Sequence, residues 1–363
     1  MKIGLLTFHS AHNYGAVLQA YATFEKVKQL GYDIDIINYK PAYLIKQRLF
    51  PFSASNSVAL NSKILIEGII TLPWRYKRIN NFERFISNKL KVSRVNYQIK
   101  PFNKNNDYDI FIMGSDQVWN CKLTKGFDPV YLGNFKTRPT AKKISYAASM
   151  SHYGLTAAQV AEFSVLINNF AAVSVREQEL HDYLEVNYNK KSTIVLDPTL
   201  LLSAQEWSLM AKKPKTVKKY VLVYSIDLRQ EAMRMANKIA KEIGAGVIEL
   251  SMNVDKGVLK NNYQTVSPEE YVGLFENASF VITSSFHGTA FSLIFNIPFF
   301  SLAHGTDKDS RQKTILNSLG VLDRFIAKDS NPEFIVLDYT IPNQKLNALK
   351  EKSLQFLSNS ISI

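Results

Sequence analysis

The segment TSSFHGTAF at 283–291 contains the side chains best suited to chemistry. It follows a strand-like stretch and precedes a predicted helix, so backbone N–H groups and the positive helix end should face the turn and favour a phosphate or carboxylate. Ser284 and Ser285 add hydroxyl groups, and His287 can act as an acid or base near neutral pH. The alternative interpretation is that the serines only cap the helix and that His287 is a structural histidine under a loop.

The loop His9–Gly15 follows the first predicted strand and should face the same cleft through Asn13, Tyr14 and Gly15. It lacks the GxGxxG pattern of dinucleotide-binding loops, so a nucleotide cofactor is not indicated. His9 and His12 lie in a loop without an obvious carboxylate partner. We therefore expect no metal site there.

Two further groups of residues stand at predicted strand ends. Asp116, in GSDQVW at 114–119, is either a base or acceptor ligand, or a turn or N-cap aspartate. Arg176 directly follows the strand at 171–175 and is the favoured anion-binding residue, because arginine holds phosphate or carboxylate with two donors. Further cations follow the last clear strand of the second half, namely Lys308, Arg311 and Lys313. Asp197, before Pro198, is interpreted as structural.

The elements that position these residues alternate between strand and helix along the chain. Strands are predicted at 2–8, 33–39, 109–113, 143–148, 171–175, 193–197, 220–225, 247–251, 279–283 and 298–302. The Lys- and Pro-rich segment 212–219 divides this alternation into two sets. The pattern predicts an α/β protein with two Rossmann-like doubly wound domains, whose ligands bind at the carboxyl ends of the strands in the cleft between them.

The charge is concentrated in one region. The 363 residues have a formal charge of +13, but residues 40–104 alone contribute +11, from 13 Lys or Arg and only Glu67 and Glu83. This region is predicted to be helical with breaks at its prolines, Pro41, Pro51, Pro73 and Pro101. It also contains several aromatic residues, so it is a solvated helical insert, a contact for an anionic membrane surface or, least favoured, a nucleic-acid site.

The remaining composition narrows the class of protein. With 46% hydrophobic and 21% charged residues, the chain is globular rather than disordered. Cys121 is the one cysteine, which excludes a disulfide scaffold or a cysteine-based zinc site. No apolar run is long enough to span a bilayer, and the N-terminus does not resemble a signal peptide. We expect a cytoplasmic protein, with peripheral contact at the inner membrane face as a hypothesis.

Seven segments resemble the polysaccharide pyruvyl transferase family, in order along the chain. They are NYGAVLQAYA (13–22), INYKP (37–41), MGSDQVWN (113–120), ISYAASM (144–150), VSVREQ (173–178), LDPTLLL (196–202) and TSSFHGTAFSLIFNIPF (283–299). The resemblance covers residues 1 to about 325 but leaves the basic region unexplained. It implies a GT-B-like fold and transfer of the pyruvyl group of phosphoenolpyruvate to sugar hydroxyls of a surface polysaccharide or lipid-linked oligosaccharide, with release of phosphate and no cofactor or metal.

The resemblance also implies roles for individual residues. His287 and Asp116 become catalytic, and the donor anion is held by residues of the 284–289 loop together with two arginines, namely Ser284, Ser285, Gly288, Thr289, Arg176 and Arg311. The acceptor sugar faces Asn13, Tyr14, Gly15 and Gln117. Many family members carry an arginine two positions before the motif histidine. Here that position is Ser285, so Arg311 or a lysine would have to take its place.

Domain limits follow from the same pattern. The first domain is expected at 1–205 with the basic insert at about 42–104, the second at 206–340, and a C-terminal helix at 341–363 that packs back on the first. Two other functions remain open. One is a GT-B-like glycosyltransferase that uses a sugar nucleotide, and the other is a non-catalytic glycan- or membrane-binding relative.

Overall fold

The computed structural model describes residues 1–45, 57–97, 102, 107–150, 153–215, 218–259 and 262–362. The first sheet is entirely parallel in the order β3-β2-β1-β4-β5. Its strands are β1 (Lys2–Leu6), β2 (Asp33–Asn38), β3 (Val92–Asn96), β4 (Ile110–Met113) and β5 (Lys142–Ser145). A parallel pair, β6 (Ser174–Val175) and β7 (Thr193–Ile194), adjoins β5 through isolated bridges. Parallel strands need crossover connections, which explains the helices between them.

Helices surround this first sheet. They are α1 (Tyr14–Gln29), α2 (Ala42–Ile45), α3 (Val58–Lys89), α4 (Cys121–Thr124), α5 (Ala157–Leu166), α6 (Gln178–Tyr188) and α7 (Ala204–Ser208). α1 begins where Asn13 accepts a hydrogen bond from the backbone of Ala16, and it buries Val17, Phe24 and Val27 against the sheet. The predicted βαβ unit at the N-terminus is therefore present.

The second sheet repeats the arrangement in the order β12-β11-β10-β8-β9, again with all strands parallel. Its strands are β8 (Tyr220–Tyr224), β9 (Gly246–Leu250), β10 (Phe280–Thr283), β11 (Phe299–Leu302) and β12 (Phe325–Ile326). The helices that follow Tyr220 are α8 (Arg229–Ile243), α9 (Pro268–Glu276), α10 (Phe286–Ile294), α11 (Ser310–Leu319) and α12 (Thr340–Ser362). Two parallel sheets wrapped by helices confirm the predicted GT-B-like fold class.

The basic insert differs from its prediction at Pro73. The sequence predicts a break there, but α3 runs without interruption for 32 residues with Pro73 inside it. A proline inside a helix costs about 3 kcal/mol through its missing N–H and a steric clash. Thr71 before it and Phe82 and Phe85 after it are buried, so packing holds both halves in one helix. Pro51 and Pro101 lie outside the described residues.

Two elements tie the domains together. α3 belongs to the first domain but contacts the second, where Asn81 Nδ2 donates to the carbonyl of Thr265 over 2.8 Å. α12 returns to the first domain, where Ser353 Oγ accepts from the backbone N–H of Leu196 over 2.9 Å. Within the described residues, no helix has the length and apolar character required to span a membrane.

Candidate functional site

A cavity of about 790 Å³ lies between the carboxyl ends of the two sheets. The first domain contributes the loops after β1 and β4, and the second contributes the loops after β10 and β11 with the start of α11. The lining includes Asn13, Ala16, Asp116, Gln117, Asn120, Ser284, Ser285, Phe286, His287, His304, Thr306, Lys308, Arg311 and Gln312. This is the switch-point position at which doubly wound folds bind their ligands.

His287 lies in the first turn of α10 and lines this cavity. Its Nε2 atom lies 3.8 Å from Oδ2 of Asp197 and has no hydrogen-bond partner among the described residues. Burial lowers the pKa of the His287 imidazole below its usual range, while the carboxylates of Asp197 and Asp116 oppose that shift. The ring is therefore neutral near pH 7 and gains a proton more readily when negative charge enters the cavity.

Gly15 allows α1 to approach this imidazole closely. A Cβ atom at position 15 would lie 2.0 Å from Nδ1 of His287. The sequence predicts that Gly15 contacts the acceptor, but in the structure Gly15 packs against His287. Only glycine fits here, because any side chain would displace the ring or the helix.

Asp197, which the sequence analysis interprets as structural, lies beside His287. It is fully buried, and its Oδ1 atom accepts from both the backbone and the hydroxyl of Thr199. Its Oδ2 atom accepts from Arg176 and from Ser115 Oγ. Burial alone would raise the pKa of Asp197, but Arg176, His287 and the Thr199 hydrogen bonds lower it below its usual value. The residue is thus a fixed carboxylate beside His287, and its signal in the sequence is the LDPT segment.

Arg176 does not occupy the predicted donor-binding position. Its guanidinium is buried outside the cavity lining, where it pairs with Asp197 and, over 3.4 Å, with Asp116 Oδ1. Two carboxylates already compensate its charge. Arg176 is therefore a positioning residue that orients both acids, and the expectation that it binds an anion is corrected.

Arg311 lines the cavity with a guanidinium group. Among the described residues, no carboxylate oxygen lies within 4.0 Å of its guanidinium, and its buried Nε atom has no hydrogen-bond partner. Burial and the nearby Arg176 charge lower the pKa of Arg311. The side-chain amide of Gln117 lies beside it and accepts from Nη2 over 2.8 Å when its oxygen points that way. The carboxylates of Glu177, Asp116 and Asp197 oppose the lowering of its pKa from a longer distance, and an incoming anion could contact the guanidinium directly.

The hydroxyls of the 284–289 loop are mostly engaged within the protein. Ser284 Oγ accepts from the backbone N–H of Ile226 over 2.7 Å and lies 2.8 Å from its carbonyl. Thr289 is fully buried and bonds the carbonyl of Ser285 and the hydroxyl of Ser301. A Cβ at Gly288 would lie 2.1 Å from Thr283 Oγ1, so this glycine serves close packing of α10 on β10. Ser284 and Ser285 both line the cavity, whereas Gly288 and Thr289 lie outside its lining.

Some of the predicted acceptor residues line the cavity and others do not. Asn13 and Gln117 line the cavity, and Asp116 lies beside them with a left-handed φ of 73°. Tyr14 does not, because its ring is buried between the domains and stacks on Tyr271 at 4.6 Å. Its hydroxyl donates to the carbonyl of Val266 and accepts from Arg78. Tyr14 is therefore an interdomain packing residue.

His304 is a second cavity residue that the sequence analysis left out. Its Nε2 atom lies 3.1 Å from the carbonyl of Ser284, which links the loop after β11 to the loop after β10. Its position directly after a predicted strand was the available signal. Among the described residues, no cluster of three His, Cys, Asp or Glu side chains could hold a metal ion.

Comparison with protein families gives a match over residues 13–306 to the model of the polysaccharide pyruvyl transferases. The chain belongs to the polysaccharide pyruvyl transferase family. The match spans both domains and includes every cavity residue from Asn13 to His304. This transferase is thus an enzyme of the type its sequence resembles, and comparison with curated proteins gives no match.

Solved structures similar to this pyruvyl transferase cover nearly its whole length. UDP-GlcNAc 2-epimerase from Methanocaldococcus jannaschii is 10% identical with a TM-score of 0.47, over 98% of this chain and 93% of that one. The UDP complex of MnaA from S. aureus is 8% identical with a TM-score of 0.45, over 99% of this chain and 91% of that one. At these identities the similarity concerns the fold alone.

Proposed function

We propose that this pyruvyl transferase uses phosphoenolpyruvate as its donor and forms a pyruvate ketal on sugar hydroxyls of a surface polysaccharide or lipid-linked oligosaccharide. The observation that carries the proposal is the pairing of two groups in one cavity. Arg311 presents a guanidinium without a carboxylate partner in the described part of the chain, and His287 presents a neutral imidazole that burial keeps unprotonated. A small substrate with two or three negative charges would give the guanidinium a partner and would favour protonation of the imidazole.

The reaction balances without a cofactor. One sugar hydroxyl adds to the carbon that carries the phosphate ester, while a proton adds to the neighbouring methylene and makes it a methyl group. A second hydroxyl then attacks the same carbon, the C–O bond to phosphate breaks, and the remaining proton leaves with phosphate. The product is a ketal that bridges two sugar oxygens.

His287 supplies the proton in this scheme. The phosphate and carboxylate of the donor bring negative charge beside the ring, which raises the pKa of the imidazole from its lowered resting position. The fixed carboxylate of Asp197, 3.8 Å from Nε2, stabilises the resulting imidazolium. The acid is therefore formed when the donor is present, and in its absence the ring stays neutral.

The first domain provides the acceptor side. Asp116 is partly exposed to the cavity, and its carboxylate can take the proton of an attacking hydroxyl. Asn13 and Gln117 flank it with side-chain amides that can bind sugar hydroxyls. Arg176 holds Asp116 in place from behind over 3.4 Å.

The test is phosphate release from phosphoenolpyruvate in the presence of a panel of lipid-linked oligosaccharides. We expect release only when donor and acceptor are both present, and we expect phosphoenolpyruvate alone to raise the melting temperature. Stabilisation by UDP-sugars and not by phosphoenolpyruvate would instead indicate a glycosyltransferase. Stabilisation by neither, with no phosphate release, would contradict the proposal.

A further inference from the structure

The outer face of α3 is apolar and exposed to solvent. Leu65, Ile69, Leu72 and Tyr76 follow one another at spacings of four, three and four residues, with Ile66 and Ile70 beside them. These six side chains, hereafter the outer face, are between 41% and 62% exposed. Isolated exposed apolar residues are normal, but an apolar stripe along three helical turns marks an interaction surface.

The opposite side of α3 is already occupied by the protein. Phe82 and Phe85 are fully buried in the core. Arg78 Nη1 donates to the carbonyl of Gln264 over 3.0 Å, and the carboxylate of Glu67 accepts from the backbone N–H of Lys256 over 3.2 Å. The helix is thus anchored through its inner side, and the outer face does not contribute to that anchoring.

The charge next to the outer face is positive. Lys77 and Arg84 are exposed beyond its C-terminal end on the same side of the helix. The two acidic residues of α3 are held by internal partners, because Glu67 bonds Lys256 and Glu83 bonds His12 over 2.8 Å. Residues 40–104 together carry +11. A second copy of this chain would bring the same positive charge to the contact, whereas an anionic lipid surface brings the opposite charge.

We propose that α3 is an interfacial helix that lays its outer face on an anionic bilayer. An apolar face bordered by basic residues is the arrangement that binds in the headgroup region without spanning the membrane. The apolar side chains supply burial and the cations supply attraction, at roughly 1 kcal/mol for each Lys or Arg near the surface. This inference does not depend on the identity of the donor.

The placement of α3 connects this surface to the cavity. Arg78 lies nine positions after Ile69, which is about 14 Å along the helix axis. Arg78 Nη2 lies 3.4 Å from the carbonyl of His12, directly before the cavity residue Asn13. A helix lying on the bilayer would therefore hold the cleft close to the lipid surface, where a lipid-carried glycan is found.

The experiment is co-sedimentation of the full chain with vesicles that contain about one third phosphatidylglycerol, compared with purely zwitterionic vesicles. We expect binding to the anionic vesicles at low salt and release at high salt. The double variant Ile66→Gln, Ile69→Gln should weaken binding at least tenfold. Its matched control is Val165→Gln, Val186→Gln, which alters two even more exposed apolar residues on α5 and α6 and should bind like the parent chain.

Charge is tested in the same way. Lys77→Gln with Arg84→Gln should weaken binding, whereas Lys241→Gln with Lys313→Gln, the same charge loss on α8 and α11, should have a smaller effect. Tyr76 belongs to the outer face, and Trp119 and Trp207 are fully buried, so a tryptophan placed by Tyr76→Trp in a Trp74→Phe background should be quenched by brominated lipids. Absence of binding at low salt would overturn the proposal. So would an Ile66, Ile69 variant that still binds vesicles but changes the chain from dimer to monomer, since this would identify a second copy as the occupant.

Discussion

Nε2 of His287 lies 3.8 Å from Oδ2 of Asp197, although the histidine belongs to the second domain and the aspartate follows β7 of the first. The pair to which we assign the acid–base step therefore forms only when the two domains are docked. This contact also explains how a buried imidazole can receive a proton: burial lowers the pKa of His287, and the carboxylate opposes that shift.

Asp197→Asn should lower kcat/KM for phosphoenolpyruvate at least tenfold, because the imidazolium loses its stabilising charge. The pKa of His287 should fall further, so the alkaline limb of the pH–rate profile should move to lower pH. The pH profile of phosphate release measures this shift. Thr199→Val is the control, since it removes one hydrogen bond to Asp197 and keeps the charge; an unchanged alkaline limb in Asp197→Asn would contradict the assignment.

Arg311→Gln should raise KM for phosphoenolpyruvate about tenfold to a hundredfold, because a charge-assisted contact to an anion is worth roughly 1.5–3 kcal/mol. The matched control is Lys313→Gln on the same helix, whose side chain is exposed outside the cavity lining. Steady-state kinetics with varied donor concentration distinguishes the two. Equal effects of both substitutions would indicate a general electrostatic contribution and not a donor site at Arg311.

Gly15→Ala should abolish most activity while the protein still folds, because the new methyl group would lie 2.0 Å from Nδ1 of His287. The ring has to rotate or α1 has to move, and either change separates the acid from the donor. Gly246→Ala is the comparison, since the nearest atom to a Cβ there is 3.9 Å away. Circular dichroism and phosphate release together test this point, and full activity of Gly15→Ala would show that the packing around His287 is looser than described.

The free energy of unfolding should depend on pH through His287. Its folded pKa lies below the usual value of 6.5, so the unfolded chain binds the proton more readily and stability is lost as the pH falls below about 6.5. His287→Asn should therefore show a smaller loss of stability between about pH 7 and pH 5 than the parent chain. Urea unfolding at several pH values measures the difference. Parallel curves for the two proteins would mean that the pKa of His287 is not lowered.

Tyr14→Phe should cost about 1–3 kcal/mol of stability with little change in the KM of the acceptor. The substitution leaves the carbonyl of Val266 and the buried guanidinium of Arg78 without their shared partner. Tyr21→Phe, on the same helix and only partly buried, serves as the control for loss of a hydroxyl. A large rise in acceptor KM with unchanged stability would restore Tyr14 to the acceptor site.

The order of strands and helices could be predicted because hydrophobic residues recur with a different spacing in helices than in strands. Asp116, His287 and Arg311 follow predicted strands and are therefore expected at one cleft, and all three line the cavity. The sequence pattern could not predict which of the buried arginines is paired with carboxylates. Arg176 and Arg311 look alike in sequence, and only the folded chain shows that Asp197 and Asp116 neutralise the first. The same limit applies to Ser284, whose hydroxyl is engaged by a backbone segment 58 residues away.

Pro73 is a position at which the local sequence gives a wrong prediction. A local rule predicts a helix break there, and the long-range packing of Thr71, Phe82 and Phe85 outweighs it. Because those contacts come from distant parts of the chain, the local sequence does not reveal them.

Arg78 bonds the carbonyl of Gln264 from the second domain, the hydroxyl of Tyr14 and the carbonyl of His12 from the first. Separating the domains would take the carbonyl of Gln264 away from this buried guanidinium and would unstack Tyr14 from Tyr271. The width of the cleft is therefore fixed before substrate arrives.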